Sequence, residues 1–259
     1  MFLLFIPMRG RVVIRAVLFD LDDTLLDINL TAFVARWASG KARILAKVSG
    51  IPYPIVMERL ARSYMRVNDQ TRDDQLTNEQ LLNETFFSLT SIPLDDTAIA
   101  DAIGFYEREC LEPLKGGIVM AAPQRGARQT VEKALSMGLT VALATNPTLT
   151  MDVDRVRMRW AGVDDIDFAL VSHIANSTRT KPCARYYQEF AAQLGLAPQE
   201  CLMVGNDAAR DFPRPDIGMS TAYVGHGWPR KAVFRGPIEA LGARLPEIVD
   251  LLNSRQDLR

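Results

Sequence analysis

The chain has 259 residues, 48% apolar and 24% charged, a balance that buries one sizeable core, or a core with a smaller companion, and excludes extended disorder. Its net charge of −1 excludes a broad positive field, so neither nucleic acid nor an acidic membrane is expected as a partner. Three cysteines, Cys110, Cys183 and Cys201, lie far apart without metal-type spacing, which predicts reduced thiols in a cytoplasmic protein.

The chain opens MFLLFIPMRGR. Its apolar run stops at Pro7, too short to cross a bilayer, and it lacks the basic region and small-residue cleavage site of a secretory signal. A structureless extension is expected, with Met8 an alternative start. An extra edge strand or a partner-binding tail is the competing reading. No other stretch approaches the ~18 continuous apolar residues of a membrane span.

Residues 12–19, VVIRAVLF, read as the first buried strand, and Asp20, Asp22 and Asp23 follow it at once. Two like unit charges about 4 Å apart repel by roughly 4 kcal/mol at an effective dielectric near 20. Such a cluster is accommodated by a cation with oxygen ligands or by the positive end of a helix.

Residues 29–113 read almost wholly as helix, over 30–50, 53–68, 77–89 and 94–111. Thr77 stands three residues before Gln80, a capping-box pattern for the third of them. Such a stretch between two strands predicts a second, all-helical domain joined to the core near 27–30 and 112–117, where Pro113, Gly116 and Gly117 interrupt it. Its first helix carries Arg36, Lys41, Arg43 and Lys47, and positions 36, 43 and 47 share a face. A solvated surface is one reading of these charges; contact with an anionic substrate tail is the other.

Beyond residue 113 strands and helices alternate. A helical pattern over 124–137 stops at Gly138, and the strand run 139–145 ends in Thr145 and Asn146. A further strand run covers 166–172, and Lys181 precedes Pro182 and a helical pattern over 183–194. The run 201–205 ends in Gly205, Asn206 and Asp207, with Asp211 beyond, and 220–225 reads as another strand. Continuous apolar runs of this length are strands buried on both faces. The alternation predicts an α/β, doubly wound, Rossmann-like parallel sheet, which binds ligands beyond the carboxyl ends of its strands. Taken singly, each polar group has an ordinary explanation as a turn, a solvated lysine or a helix cap. Taken in order, each at or just past a strand end, they converge on one edge of the sheet.

The four groups resemble the motifs of the haloacid dehalogenase (HAD) superfamily, whose members are mostly phosphatases. Asp20, Asp22 and Thr24 match its first motif and Thr145 its second. Lys181 before Pro182 matches the third, and Gly205 with Asp207 and Asp211 the fourth. The resemblance covers residues 1–28 and 114–225 and implies a core domain of 1–28 and 114–259 with a helical cap domain of 29–113. It further implies a Mg²⁺-dependent phosphatase acting on a small phosphorylated metabolite through an aspartyl-phosphate. In that scheme Asp20 is the nucleophile and Asp22 the general acid and base. Thr145, Asn146 and Lys181 hold the phosphate. Asp20, Asp22 through its backbone carbonyl, and Asp207 hold the metal, with Asn206 and Asp211 behind them.

Two departures bear on this scheme. Many members carry Asp directly after the fourth-motif Gly, where this chain has Asn206; charge favours Asp207 as the ligand. Pro213 and Pro215 stand where a helix is expected, and their missing N–H groups disfavour a regular helix there, which leaves the direction of Asp211 open. A phosphomutase or another HAD-type hydrolase would share Asp20 and Asp22, whereas a dehalogenase needs no metal and usually lacks the second acid. A non-catalytic phospho-ligand-binding protein is the alternative of a different class. It should have lost an anchor, and the main anchors are present.

Overall fold

The computed structural model describes residues 13–256, so the apolar extension at the start of the chain lies outside it. The first strand, β1 (Ala16–Phe19), is followed by a two-residue strand β2 (Leu26–Asp27) and by helices α1 (Leu30–Ser49), α2 (Tyr53–Val67), α3 (Asn78–Thr90) and α4 (Thr97–Glu109). The chain continues through β3 (Ala122–Pro123), α5 (Ala127–Ser136), β4 (Thr140–Leu143), α6 (Met151–Ala161), α7 (Ala184–Gln193), β5 (Cys201–Gly205), β6 (Ser220–Tyr223), β7 (Phe234–Arg235) and α8 (Ile238–Gln256).

Five strands form one parallel sheet in the order β4-β1-β5-β6-β7. Every residue of β1 is fully buried, which explains its unbroken apolar sequence. Its side chains alternate between two cores. Val17 and Phe19 join Val141, Val204, Val156 and Leu241 on one face, the side of α5, α6 and α8. Ala16 and Leu18 join Ala142, Met203, Tyr187 and Phe190 on the other, the side of α7. Helices on both faces of a parallel sheet make the doubly wound α/β fold that the alternation predicts.

The run 166–172 departs from expectation. It lies along β4 through Ala169 N to Val141 O (2.9 Å) and Leu143 N to Leu170 O (2.8 Å), but it forms only a single bridge, Leu143 with Val171. Residues 166–170 alternate between half-buried and exposed, as suits a segment at the sheet's edge with one neighbour, and only Ser172 at its end is buried.

Helices α1–α4 pack a separate cluster around Ala42, Leu45, Leu60, Phe86 and Ile103, and no strand pairing of the described residues falls within 29–113. The capping box at Thr77 and Gln80 forms as the spacing predicts. Two sets of contacts tie these helices to the sheet domain. Glu107 accepts from Trp37 Nε1 (3.0 Å) and from Thr150 Oγ1 (2.6 Å), the residue that caps α6. Asn78 Nδ2 donates to Pro147 O (2.9 Å) and Arg179 O (3.2 Å), and Asn78 Oδ1 accepts from the buried Arg72 (2.7 Å). These bonds fix the α2–α3 connection against the loops after β4 and before α7. None of the described helices is long and apolar enough to cross a membrane, and all three cysteines are free.

Candidate active site

The carboxyl ends of β1, β4 and β5 meet around Asp20. Its backbone N–H continues the β1–β5 ladder to Val204 O (2.9 Å), so the residue is aimed by the two central strands of the sheet. Lys181 Nζ reaches Asp20 Oδ1 at 2.8 Å and Asp211 Oδ1 at 2.7 Å. Burial pulls the Lys181 ammonium down, but the two carboxylates hold it above the ordinary lysine range. Burial pushes the Asp211 carboxyl up, to about 6, against the pull of Lys181.

Backbone geometry sets this bridge. Asn146 Oδ1 accepts the Lys181 N–H (3.1 Å), which ties the ends of β4 and of the Lys181 loop together. Thr145 O accepts from Ser172 Oγ (2.7 Å) and Tyr186 OH (3.0 Å), pinning the strand end from below. Asp211 Oδ2 accepts the Asp207 N–H at 2.8 Å. Gly205 makes that turn possible: a Cβ there would stand 2.2 Å from Asp211 Oδ2. The two prolines leave 211–216 irregular, yet the Asp211 carboxylate is turned inward onto Lys181 and is 1% exposed.

The fourth-motif residues divide their work. Thr24 Oγ1 lies 3.2 Å from both Asp20 Oδ2 and Asn206 Oδ1, so Asn206 stands beside the nucleophile candidate. Asp207 Oδ1 instead accepts from Ala209 N (2.7 Å) in its own turn, and Oδ2 faces Arg210 Nε at 3.6 Å.

Asp22 has partners that the sequence reading missed. Arg157 donates through one terminal nitrogen to Asp22 Oδ2 and through the other to Asp154 Oδ1. Both Arg157 and Asp154 are 1% exposed, and Asp22 Oδ1, Asp154 Oδ2 and Arg157 Nε are buried without a hydrogen-bond partner. Burial raises the Asp22 carboxyl, with Arg157 opposing and Asp20 adding to the rise. Burial likewise pushes Asp154 up to about 7, again against Arg157. One guanidinium is thus shared by two carboxylates. Their spacing held a signal: Asp154 and Arg157 are three apart on α6, among the buried Val153, Val156 and Trp160.

Asp20, Asp22, Arg157, Lys181, Asn206, Asp207 and Asp211 line one cavity of about 620 Å³, which also takes in Thr145, Asn146, Asp23 and Arg210, with Asp154 behind Arg157 and off the lining. Its upper wall is Leu30, Thr31, Val34 and Ala35 of the first α1 turns, with Asn68 and Leu149. Arg36, Arg43 and Lys47 are exposed and off this lining. Lys41, expected with them on a solvated or substrate-facing surface, is buried, 3.6 Å from Glu107.

The donor set at the floor fits a hard cation. Five carboxylates line the cavity, with oxygen-only donors beside Asp20. Lys181 and Arg157 are each divided between two acids, so an excess of negative charge remains. Among the described residues no three His, Cys, Asp or Glu side chains form a ready cage. Two carboxylate residues supplemented by amide or main-chain oxygens and water suit Mg²⁺, which keeps several waters.

A family model described as haloacid dehalogenase-like hydrolase matches residues 14–213. Among curated proteins, ribulose-1,5-bisphosphate 5-phosphatase of Halopiger xanaduensis is 24% identical over 217 residues, covering 80% of this chain and 82% of its own. Among solved structures, a HAD phosphatase from Thermococcus onnurineus matches with a TM-score of 0.53 at 18% identity, over 91% of this chain and 98% of its own. A HAD family hydrolase from Deinococcus radiodurans R1, solved with bound phosphate and sodium, gives 0.51 at 17% identity, over 92% and 97%. The structural likenesses bear on the fold.

Proposed function

The chain belongs to the haloacid dehalogenase-like hydrolases, and on that footing we propose that it is a Mg²⁺-dependent phosphatase of a small phosphorylated metabolite, acting through an aspartyl-phosphate on Asp20. What carries this reading is the Lys181 bridge: a buried ammonium bonded to Asp20 and Asp211 at the floor of a cavity where three strands end. The Halopiger relative, named for removing a phosphate from a sugar bisphosphate, supports phosphate-ester chemistry.

In this scheme Asp20 attacks phosphorus, and the P–O bond to the leaving alcohol breaks. Asp22 gives its proton to the departing oxygen, then takes one from the water that attacks the phosphoenzyme and releases inorganic phosphate. Lys181, the Thr145 hydroxyl and the Asn146 amide hold the non-bridging oxygens; charge-assisted bonds of this kind are the strong ones. Asp211 keeps the Lys181 ammonium in place. Asp20, the Asp22 backbone carbonyl and the fourth motif would hold the cation. Asn206 Oδ1, beside Asp20 through Thr24, is the better-placed donor there, because Asp207 is engaged in its own turn. When bound, Mg²⁺ would neutralise the developing phosphoryl charge.

We assign 1–28 and 114–259 to the catalytic core and 29–113 to a cap that walls the cavity and sets substrate choice. The test is phosphate release from a panel of phosphorylated metabolites, with Mg²⁺ and after exhaustive chelation. Activity that needs the metal, vanishes in Asp20→Asn, and leaves acid-quenched phosphate on Asp20 is expected. Full turnover after chelation, or an active Asp20→Asn enzyme, would overturn the scheme.

A further inference from the structure

The cavity has two unlike halves. Its floor gathers Asp20, Asp22, Lys181 and Asp211, whereas its wall offers the carbon surfaces of Leu30, Val34, Ala35 and Leu149, with Thr31, Asn68 and Thr148 as neutral polar groups among them. Three cations line it, and two are committed. Lys181 is divided between Asp20 and Asp211, and Arg157, 1% exposed, between Asp22 and Asp154. The third, Arg210, is half-exposed and already stands 3.6 Å from Asp207. The first turn of α1 also borders the cavity, but its N–H groups at Leu30, Ala32 and Phe33 are bonded to Ile28 O, Asn29 Oδ1 and Asn29 O, which leaves that of Thr31 alone open in this turn.

A second phosphate would enter this space with nearly two negative charges. At the wall it would meet apolar side chains and a few neutral polar groups, with Arg210, exposed and already beside Asp207, as the one guanidinium not buried between two acids, rather than the converging guanidinium forks and helix N-termini that bind phosphate. Thr31, Val34, Ala35 and Asn68 are themselves exposed, so the second phosphate would keep part of its water, but whatever hydration it gives up against this wall is not replaced by a buried partner. We infer that the substrate carries one phosphate, on a short body that is otherwise uncharged. Its carbon face would lie on Val34 and Leu149, and its hydroxyl or carbonyl groups would meet Thr31 and Asn68. This narrows the phosphatase reading and rests on it. It also separates this chain from a bisphosphate specificity such as the Halopiger relative's name states.

The experiment compares kcat/KM of the Mg²⁺-loaded full chain on esters that differ only in a second phosphate: ribulose 5-phosphate against ribulose 1,5-bisphosphate, and butyl phosphate against butane-1,4-diol bisphosphate. Nitrophenyl phosphate is the control for catalysis itself. The monophosphates should be preferred by about 10²-fold. That is less than the ~10⁴–10⁵ imposed by unpaired polar groups deep in a site, because Arg210 and water at the mouth relieve part of the penalty. Val34→Arg, which adds a cation to the wall, should narrow the preference at least tenfold, while Arg36→Ala, off the lining, should leave it unmoved. Where turnover of a pair is too slow to measure, inhibition of nitrophenyl phosphate hydrolysis reads the same ranking. Nitrophenyl phosphate hydrolysed with the bisphosphates equal or preferred would overturn the inference alone. No hydrolysis of any ester would overturn the phosphatase reading and the inference with it.

Discussion

Replacing Arg157 by Met tests how the second carboxylate of the site is held. The guanidinium is buried, is shared by Asp22 and Asp154, and its Cζ lies 6.0 Å from the centre of the Phe33 ring. Methionine keeps much of the stem volume but leaves two carboxylates facing a thioether. Removing one partner from a buried ion pair costs about 3–5 kcal/mol. The loss here should fall at the lower end, about 3 kcal/mol, because Asp154 is already pushed up to about 7 and sheds its charge cheaply near neutrality. With an m-value near 3 kcal/mol/M, the urea midpoint should drop by about 1 M. Adding Asp154→Leu should recover part of that, since an apolar substitute for a buried pair is often neutral. The single variant should also slow the first turnover on alkyl phosphates about tenfold more than on aryl phosphates, because Asp22 loses the group that orients it. A midpoint shift below about 0.3 M, with both ester classes unaffected, would refute the idea that Arg157 braces Asp22.

Asp22→Asn keeps the backbone carbonyl but cannot donate a carboxylic proton. Rapid-quench measurement should show a first-turnover loss within the ~10²–10⁴-fold range on alkyl phosphates and a smaller one on nitrophenyl phosphate; equal losses would make Asp22 a positioning residue. Asn206→Ala should weaken Mg²⁺ activation more than Asp207→Ala, read from metal titrations of activity; the reverse order would restore the assignment that charge alone favours. Asp154 gives a stability-versus-pH test. Its carboxyl lies at about 7 when folded against 3.8 for the free group, so the folded state binds the extra proton between those values. Its contribution is therefore present at low pH and lost as pH rises through 7. Urea midpoints between pH 4.5 and 7.5 should fall less steeply in Asp154→Asn than in the native chain.

Where local pattern governs, the chain could be read directly. The runs at 12–19, 139–145, 201–205 and 220–225 contain β1, β4, β5 and β6 because a strand buried on both faces favours continuous apolar residues. The four helices between Leu30 and Glu109 follow from residue type and from the Thr77–Gln80 cap, both properties of a few neighbouring positions. Asp20, Asp22, Thr145, Asn146, Lys181, Asn206, Asp207 and Asp211 were each visible as polar groups at strand ends, and all of them line the one cavity. Partner choice was decided elsewhere. A lysine or arginine on a helix has the same local sequence whether it meets water or a carboxylate from far along the chain. Lys41 is buried by Glu107, and Arg157 by Asp22, 135 positions away. Asn206 and Asp207 are adjacent, yet one turns towards Thr24 and the other into its own turn, because the Asp211 carboxylate pressed onto Gly205 sets the direction of the loop. The sequence by itself thus determined the central strands, the helices between Leu30 and Glu109 and the chemistry carried at the strand ends, while the edge run 166–172, read as a strand, forms only one bridge; tertiary packing, which buries charges and chooses their counter-ions, decided which of those groups are free to meet a substrate.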